Sequence, residues 1–243
     1  MKWKERVIVL ITGAYEKCKQ YLKLHSSVSE NKKEIFPCVT ISRLTGSGSY
    51  DVSKNLIEIL QQRTKDSENP WTYFNKELIT KVIEDFKLPK VLKKYIQEGK
   101  YSHISDAVNE LLGVKPSEWT ILHKTTEIVL QLARYGKSII VGRGSTVITA
   151  KLPNCFHVRL VAPIENRIKH VQKNYNYSKQ EAKDYIKQED ERRNKYLKSH
   201  FFHDADDPTL YHLTINTGLL TYEESAMVIA EALIKKFPKS FVK

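Results

Sequence analysis

Residues 36–49, FPCVTISRLTGSGS, combine a strand pattern, a glycine-rich turn and the start of a helix. Phe36–Ser42 is a short run rich in β-branched residues, which predicts a buried strand. The turn that follows contains Gly46 and Gly48, and Val52–Gln62 then shows apolar residues at helical spacing. A strand, a glycine-rich turn and a helix in this order can cradle an anion, because backbone N–H groups and the positive helix end converge there. We predict a phosphate-binding loop at this turn, the alternative being a tight turn without a ligand.

The rest of the chain alternates between the two kinds of pattern. Short apolar runs predict further strands at Ser138–Gly142, His157–Ala162 and Leu213–Asn216. Helical spacing predicts helices at 3–24, Thr125–Tyr135, Ile164–Asn174, Lys179–Lys198 and Tyr222–Phe237, and a mostly helical stretch from Lys65 to His123. Strands that alternate with helices predict an α/β fold, a parallel sheet covered by helices on both faces.

The composition excludes some classes of protein and favours others. The chain has 243 residues, and 40 Lys+Arg against 28 Asp+Glu give a formal net charge of +12. No apolar run approaches the roughly 20 residues that span a bilayer, so we expect no membrane segment. The three cysteines, Cys18, Cys38 and Cys155, are odd in number and widely spaced, which indicates reduced thiols and a cytoplasmic protein. The charge favours anionic partners, although a lysine-rich solvated surface would give the same balance.

Two further groups of charged residues are candidates for phosphate chemistry. Arg143 lies between two glycines at the carboxyl end of a predicted strand, where ligands bind in open α/β sheets. Its guanidinium can hold a phosphate with two N–H bonds, or it can pair with a nearby carboxylate. Asp190, Arg193 and Tyr196 follow each other at intervals of three residues, which places them along one helix face. An exposed, salt-bridged helix is the alternative interpretation.

Six motifs occur in a fixed order: FPCVTISRLTGSGS, YFNKELI, LARYGKSIIVGRGS, APIENRI, DERRNKY and DDPTLYHLTINT. This ordered set resembles the cytidylate kinase-like family, relatives of the bacterial CMP kinases among the P-loop nucleoside monophosphate kinases. The resemblance covers roughly residues 35–237. It implies a P-loop kinase-like α/β domain at 35–243, made of a core (35–64 and 124–243), a helical monophosphate-binding insert (about 65–123) and a short lid (about 173–207). Residues 1–34 form a predicted amphipathic helix and linker, and we expect the apolar stripe of the helix to dock on the core of its own chain or on a second subunit.

The resemblance also implies roles for single residues. It assigns ATP to Arg43, Leu44, Thr45, Gly46, Ser47, Gly48 and Ser49, with Arg167, Thr217 and Gly218. It assigns the phosphorylated acceptor to Asn75, Arg143, Gly144 and Tyr196. It assigns catalysis to Arg43, Arg143, Asp190 and Arg193. Mg²⁺ is implied by family analogy alone, and the sequence offers no clear ligand for the metal.

The sequence departs from the kinase pattern at three positions. A complete phosphate loop ends in Gly-Lys-Ser/Thr, whereas Gly48 is followed by Ser49 and Tyr50. Val141 and Asn75 stand where the CMP kinases and this family commonly have Asp. Positive charge for a phosphoryl group can come instead from Arg43, Arg143, Arg167, Arg192 and Arg193.

The leading interpretation is therefore an ATP-dependent phosphotransferase similar to the nucleoside monophosphate kinases, acting on CMP or a related small phosphorylated acceptor. A nucleotide-binding sensor that has lost phosphoryl transfer is the second interpretation. A nucleic-acid-binding protein on a kinase-like scaffold is the third, but acidic residues interrupt the basic helices and no nucleic-acid-binding motif is present. We also expect Gly48→Val to remove ATP binding and leave the fold largely intact.

Overall fold

The computed structural model describes residues 36–65, 70–79 and 118–242. The predicted N-terminal helix and linker, and most of the predicted insert, lie outside these residues. The strands are β1 Cys38–Arg43, β2 Thr72–Phe74, β3 Ser138–Val141, β4 Cys155–Val161 and β5 Leu213–Asn216. The helices are α1 Ser49–Arg63, α2 Glu118–Tyr135, α3 Ser145–Ile148, α4 Ile164–Tyr175, α5 Lys179–Phe201 and α6 Tyr222–Lys236, with 3₁₀ turns at Pro208–Leu210 and Pro238–Ser240.

The five strands form one parallel sheet in the order β2-β3-β1-β4-β5. β1 lies at the centre, with Cys38 opposite Ser138 of β3 on one side and Cys155 of β4 on the other. Because all strands are parallel, their carboxyl ends meet at one edge, and the loop after β1 and the loop after β3 become neighbours there. The α/β prediction is confirmed. Within the described part of the chain, no helix combines the length and apolarity needed to cross a membrane.

One face of the sheet is apolar along its whole length. Val39, Ile41, Val158 and Leu160 point to this face, where α1 and α6 cover them. The covering side chains are fully or almost fully buried and include Val52, Leu56, Leu60, Ile229 and Leu233. Burial of this many aliphatic side chains makes α1, α6 and the central strands the main core, because each contributes about 1.5–3 kcal/mol.

The opposite face of the sheet is apolar near the amino ends of the strands and polar near their carboxyl ends. Near the amino ends, Cys38, Ile140 and Cys155 pack under α2 through Ile128, Val129 and Leu132. Further along, the same face carries polar side chains: Thr40 and Ser42 on β1, and His157 and Arg159 on β4. The apolar side chains of α2 therefore cover only the amino-terminal half of this face. The carboxyl-terminal half of the face presents polar side chains.

The prediction of a mostly helical stretch from Lys65 to His123 is wrong at β2. Thr72–Phe74 pairs in parallel with Ser138–Ile140 and extends the sheet by one strand. Trp71, just before it, is buried and donates its indole N–H to Thr64 Oγ1 at 2.8 Å. Three residues are too few to show a period of two, so the surrounding helical pattern dominated the prediction.

The titration of His157, one of the polar side chains on this face, links the stability of the fold to pH. Its Nδ1 lies 2.7 Å from Thr40 Oγ1, and burial, assisted by the neighbouring His212, lowers the pKa of His157 to about 4. A histidine in an unfolded chain titrates near 6.5. Since the folded pKa is the lower one, the contribution to stability is complete above pH 6.5 and is lost as pH falls towards 4.

We expect the free energy of unfolding to fall by up to about 3 kcal/mol over that pH window because of His157. Urea unfolding of the wild type and of His157→Gln, at a series of pH values, measures this contribution. The glutamine keeps a hydrogen-bonding group beside Thr40 but does not titrate. Parallel pH profiles for the two proteins would contradict the prediction.

Candidate active site

The loop between β1 and α1 is shaped by glycine. Gly48 is the N-cap of α1 and has a left-handed backbone with φ 74°. A Cβ at this position would lie 2.2 Å from Cε1 of Tyr222 at the start of α6. The same loop is held by Thr217, which donates its hydroxyl to Ser47 O at 3.0 Å, and by Ser47, which donates to Leu44 O at 2.8 Å. Gly48 is thus required by packing as well as by the turn.

The N-terminus of α1 differs from those of α5 and α6. No side chain caps α1. In contrast, α5 begins with a capping box between Ser178 and Glu181, and α6 begins with one between Thr221 and Glu224. The first N–H groups of a helix have no intrahelical partner, so at α1 they are open to an external acceptor. These donors fit the phosphates of a nucleotide.

Asp190 on α5 anchors that helix to the loop. Its Oδ1 accepts from the Thr45 backbone N–H at 2.8 Å and from the Thr45 hydroxyl at 2.6 Å. Its Oδ2 accepts from Arg167 at 2.6 Å, and Arg193 donates to Thr45 Oγ1 at 2.6 Å. With both oxygens accepting hydrogen bonds, the carboxylate positions α5 and the loop in this conformation.

A cleft of about 360 Å³ lies beside the loop, between the carboxyl ends of β1 and β3 and the second half of α5. Of the predicted site residues, it brings together Arg43, Leu44, Arg143, Gly144, Asp190, Arg193 and Tyr196. Tyr196 forms a hydrogen bond with Arg143 across the cleft wall. Gly142 makes room for a second arginine, because a Cβ there would lie 2.0 Å from Nη1 of Arg43.

The cleft is strongly cationic. The residues that line it include one carboxylate, Asp190, and seven cations: Arg43, Lys76, Arg143, Arg159, Arg192, Arg193 and Lys195. Two carboxylates beside the lining pair with three of these cations, Glu189 with Arg192 and Arg193, and Asp206 with Arg159, so the cations remain in excess by four. Burial, assisted by the charge of Arg193, lowers the pKa of Arg43 to about 10. Burial also lowers the pKa of Arg143 and of Lys76, and the neighbouring Arg192 adds to both shifts. A bound anion relieves this mutual repulsion.

Several predicted residues lie elsewhere. Thr45, Gly46, Ser47, Gly48, Ser49, Arg167, Thr217 and Gly218 surround the loop and are not part of the cleft lining. Asn75 caps a helical turn at Lys76–Ile79, because its Oδ1 accepts from the Leu78 N–H at 2.9 Å. The predicted nucleotide residues and the predicted acceptor residues are therefore two neighbouring groups, joined by Arg43, Leu44 and Asp190.

Sequence reasoning missed several polar residues of the cleft, among them Ser42, Lys76, Arg159, Lys195 and Tyr211. Arg159 left a signal, because an arginine in the middle of the apolar run HVRLVA is unusual for a buried strand. The others are ordinary polar residues, and only the packing of the strands, of α5 and of the segment before β5 brings them to the cleft. Among the residues the structure describes, no three His, Cys, Asp or Glu side chains are grouped as a metal site.

The two halves of α5, which lies within the predicted lid, make different contacts. Its first half packs on α4, where Ala182 and Ile186 are buried against Ile168 and Val171. Its second half, which begins at Asp190 and includes Asn194–Leu197, Ser199 and His200, lines the cleft. We expect nucleotide to slow amide hydrogen exchange in the second half and to leave the first half unchanged, since only the second half faces the ligand. Equal exchange at residues 194–200 with and without nucleotide would remove α5 from the binding site.

Comparisons with known proteins agree with this architecture. A family model described as "Cytidylate kinase-like family" matches residues 38–219, more than half of the chain. The match confirms the resemblance carried by the ordered motifs. An uncharacterized protein from Eubacterium ventriosum has a similar solved structure, with 18% identity, a TM-score of 0.61, and coverage of 82% of this chain and 98% of that one. It supports the fold.

The chain is more weakly similar to one further solved structure and to one protein sequence. A shikimate kinase from Bacteroides thetaiotaomicron superimposes with a TM-score of 0.44 at 12% identity, covering 82% of this chain and 97% of that one. A uronate isomerase from Corynebacterium glutamicum is 24% identical over 100 residues, which is 41% of this chain and 19% of that protein. The chain thus matches about a fifth of the length of its curated relative, and no activity is transferred from it.

Proposed function

Because the chain belongs to the cytidylate kinase-like family, we propose that it is an ATP-dependent phosphotransferase similar to the nucleoside monophosphate kinases. Its acceptor is CMP or a related small phosphorylated compound, bound in the cleft. The observation that carries the proposal is the charge of the cleft, whose seven cations outnumber the three carboxylates paired with them, next to a glycine-containing loop. Reduced Cys38 and Cys155 are consistent with a cytoplasmic location.

The residues around the loop fit the phosphates of ATP. The uncapped N-terminus of α1 supplies backbone donors, and Thr45 to Ser49 form the turn before it. Arg167 and Arg193 already reach this loop through Asp190 and Thr45, so they can supply the positive charge that Ser49 lacks. ATP would supply the phosphoryl group for transfer. Mg²⁺ remains a proposal by family analogy, to be held mainly by the nucleotide.

The cleft residues have three roles in this proposal. Arg143, positioned by Tyr196, grips the phosphate of the acceptor. Arg43 lies between the loop and the cleft. It neutralises negative charge on the oxygens of the phosphoryl group that is transferred. Asp190 is a positioning residue that keeps α5, and with it Arg193, against the loop. In this proposal the arginines of the site supply the positive charge that the lysine of a complete phosphate loop would supply.

A nucleotide sensor without transfer activity is the second candidate. It is favoured by Ser49 at the lysine position and by Asp190, whose carboxylate accepts from the Thr45 N–H of the loop. A protein with this arrangement would bind nucleotide and release no product. The same residues therefore support both candidates, and the distinction is made by turnover.

A nucleotide panel tests the proposal. Each nucleoside monophosphate is incubated with ATP and Mg²⁺, and ADP and the phosphorylated product are quantified separately. Stoichiometric formation of both, abolished by Arg143→Ala, supports transfer to an acceptor. Tight nucleotide binding without product supports the sensor. Submicromolar binding of an oligonucleotide at about 0.2 M salt, where screening is strong, would favour the nucleic-acid alternative.

A further inference from the structure

Arg159 lies at the floor of the cleft and is not among the residues that the family resemblance assigns. It belongs to β4, with β1 on one side and β5 on the other. Its side chain is only 6% exposed, yet it lines the cleft. Arginine is rarely buried to this degree without a partner for its charge. The partners of Arg159 indicate what it can bind.

A chain of hydrogen bonds fixes one edge of the guanidinium. Nη1 of Arg159 donates to Ser42 Oγ at 2.8 Å, and the hydroxyls of Ser42 and Tyr211 are 3.2 Å apart. The Tyr211 hydroxyl has one proton to donate, and its oxygen lies 2.8 Å from the Ala205 carbonyl oxygen, which can only accept. The Ser42 hydroxyl therefore donates to the Tyr211 oxygen and accepts from Arg159. These hydrogen bonds orient Arg159.

The other edge of Arg159 faces a replaceable partner. Nη2 donates to Oδ1 of Asp206 at 2.5 Å, but the Asp206 side chain is 67% exposed. An ion pair with so exposed a carboxylate adds little stability, since solvent screens it and the side chain can turn away. A ligand anion can take the place of Asp206 while Ser42 holds the arginine still.

We propose that Arg159 binds a second anionic group of the acceptor, so that the preferred acceptor is a nucleotide with a further phosphate besides the one at Arg143. This inference rests on the proposed function, because it takes the cleft as the acceptor site. Charge balance supports it: one phosphate monoester carries at most two negative charges, whereas the seven cations of the lining exceed the three carboxylates paired with them, Asp190, Glu189 and Asp206, by four. A nucleoside bisphosphate matches this balance better than a monophosphate.

Calorimetry on the full chain tests the inference with two probes, CMP and cytidine 3′,5′-bisphosphate. We expect the bisphosphate to bind about tenfold more tightly, as for one added charge-assisted contact. Arg159→Met should abolish this preference, so that CMP and the bisphosphate bind with affinities within about twofold of each other. The matched control is Arg63→Met, which removes an arginine from an exposed pair with Glu231 and should change neither affinity.

A second variant keeps the test independent of the folding of Arg159→Met. Asp206→Asn removes the competing carboxylate from an exposed position, so bisphosphate affinity should rise about threefold. A fall in that affinity would overturn the inference, because it would show that Asp206 is needed to hold Arg159. Equal affinities of the wild type for the two probes would overturn it as well.

The two proposals fail in different ways. Binding of the probes is measured without ATP and needs no turnover. A preference for the bisphosphate in a protein that transfers no phosphoryl group supports Arg159 as an anion site and contradicts the phosphotransferase. Transfer to CMP, with no preference and no effect of Arg159→Met on binding, confirms the phosphotransferase and overturns the second anion site.

Discussion

Arg143→Ala is expected to weaken acceptor binding by about 2 kcal/mol and to lower kcat/KM for transfer about a thousandfold. Arg143 lines the cleft, forms a hydrogen bond with Tyr196 and remains a cation although burial lowers its pKa. Its loss removes a contact to the acceptor phosphate and also charge that the transition state needs. The effect on rate therefore exceeds the effect on binding.

Separate titrations with CMP and with ATP check this prediction. The loss should appear in the CMP titration, while ATP affinity stays within about twofold. Arg143→Lys should recover part of the binding, because it restores charge without the two-pronged geometry. Arg134→Ala, at an exposed position in the last turn of α2, is the matched control. A loss confined to the ATP titration would assign Arg143 to the nucleotide donor.

Gly48→Val is expected to destabilise the protein by about 4 kcal/mol, against the expectation from the sequence that the fold stays intact. The left-handed backbone at φ 74° disfavours any other residue by about 1–2 kcal/mol. The added side chain also meets the ring of Tyr222 at 2.2 Å, and such overpacking costs about 1–3 kcal/mol. The ring is held where it is by His170, because the Tyr222 hydroxyl lies 2.8 Å from His170 Nδ1 and the two rings meet edge to face.

Urea unfolding of Gly48→Val alone and in a Tyr222→Ala background separates the two contributions. The double variant should recover the part due to the clash and keep the part due to the backbone. A Gly48→Val protein as stable as the wild type would mean that the loop can move away from α6. In that case the variant would become usable as a test of ATP binding.

The strands and helices were largely predictable because their patterns are local. The predicted strand at Leu213–Asn216 agrees with β5 at both ends, and the predicted helix at Tyr222–Phe237 differs from α6 by one residue. β2 could not be found in this way, because three residues carry no periodic signal. Its place in the sheet depends on pairing with β3, far along the chain.

The site was predictable where a motif marks it and not elsewhere. Arg143 stands between glycines at a strand end, and Asp190 and Arg193 follow a family pattern. The contact between Thr45 and Asp190 joins residues 145 positions apart, so no local pattern reveals it. Ser42 and Arg159 meet across two paired strands, and only the register of β1 against β4 places them side by side.

The contact between Asp190 and Thr45 withholds one backbone donor of the loop from a ligand. A phosphate that needs the Thr45 N–H competes with a carboxylate belonging to the same chain, whose local concentration does not fall on dilution. For such a ligand, the measured dissociation constant is the intrinsic one divided by the fraction of molecules in which Asp190 has released that N–H. A phosphate held by the N–H groups at the start of α1 meets no such competition, so the two binding modes would differ in how affinity responds to a substitution of Asp190.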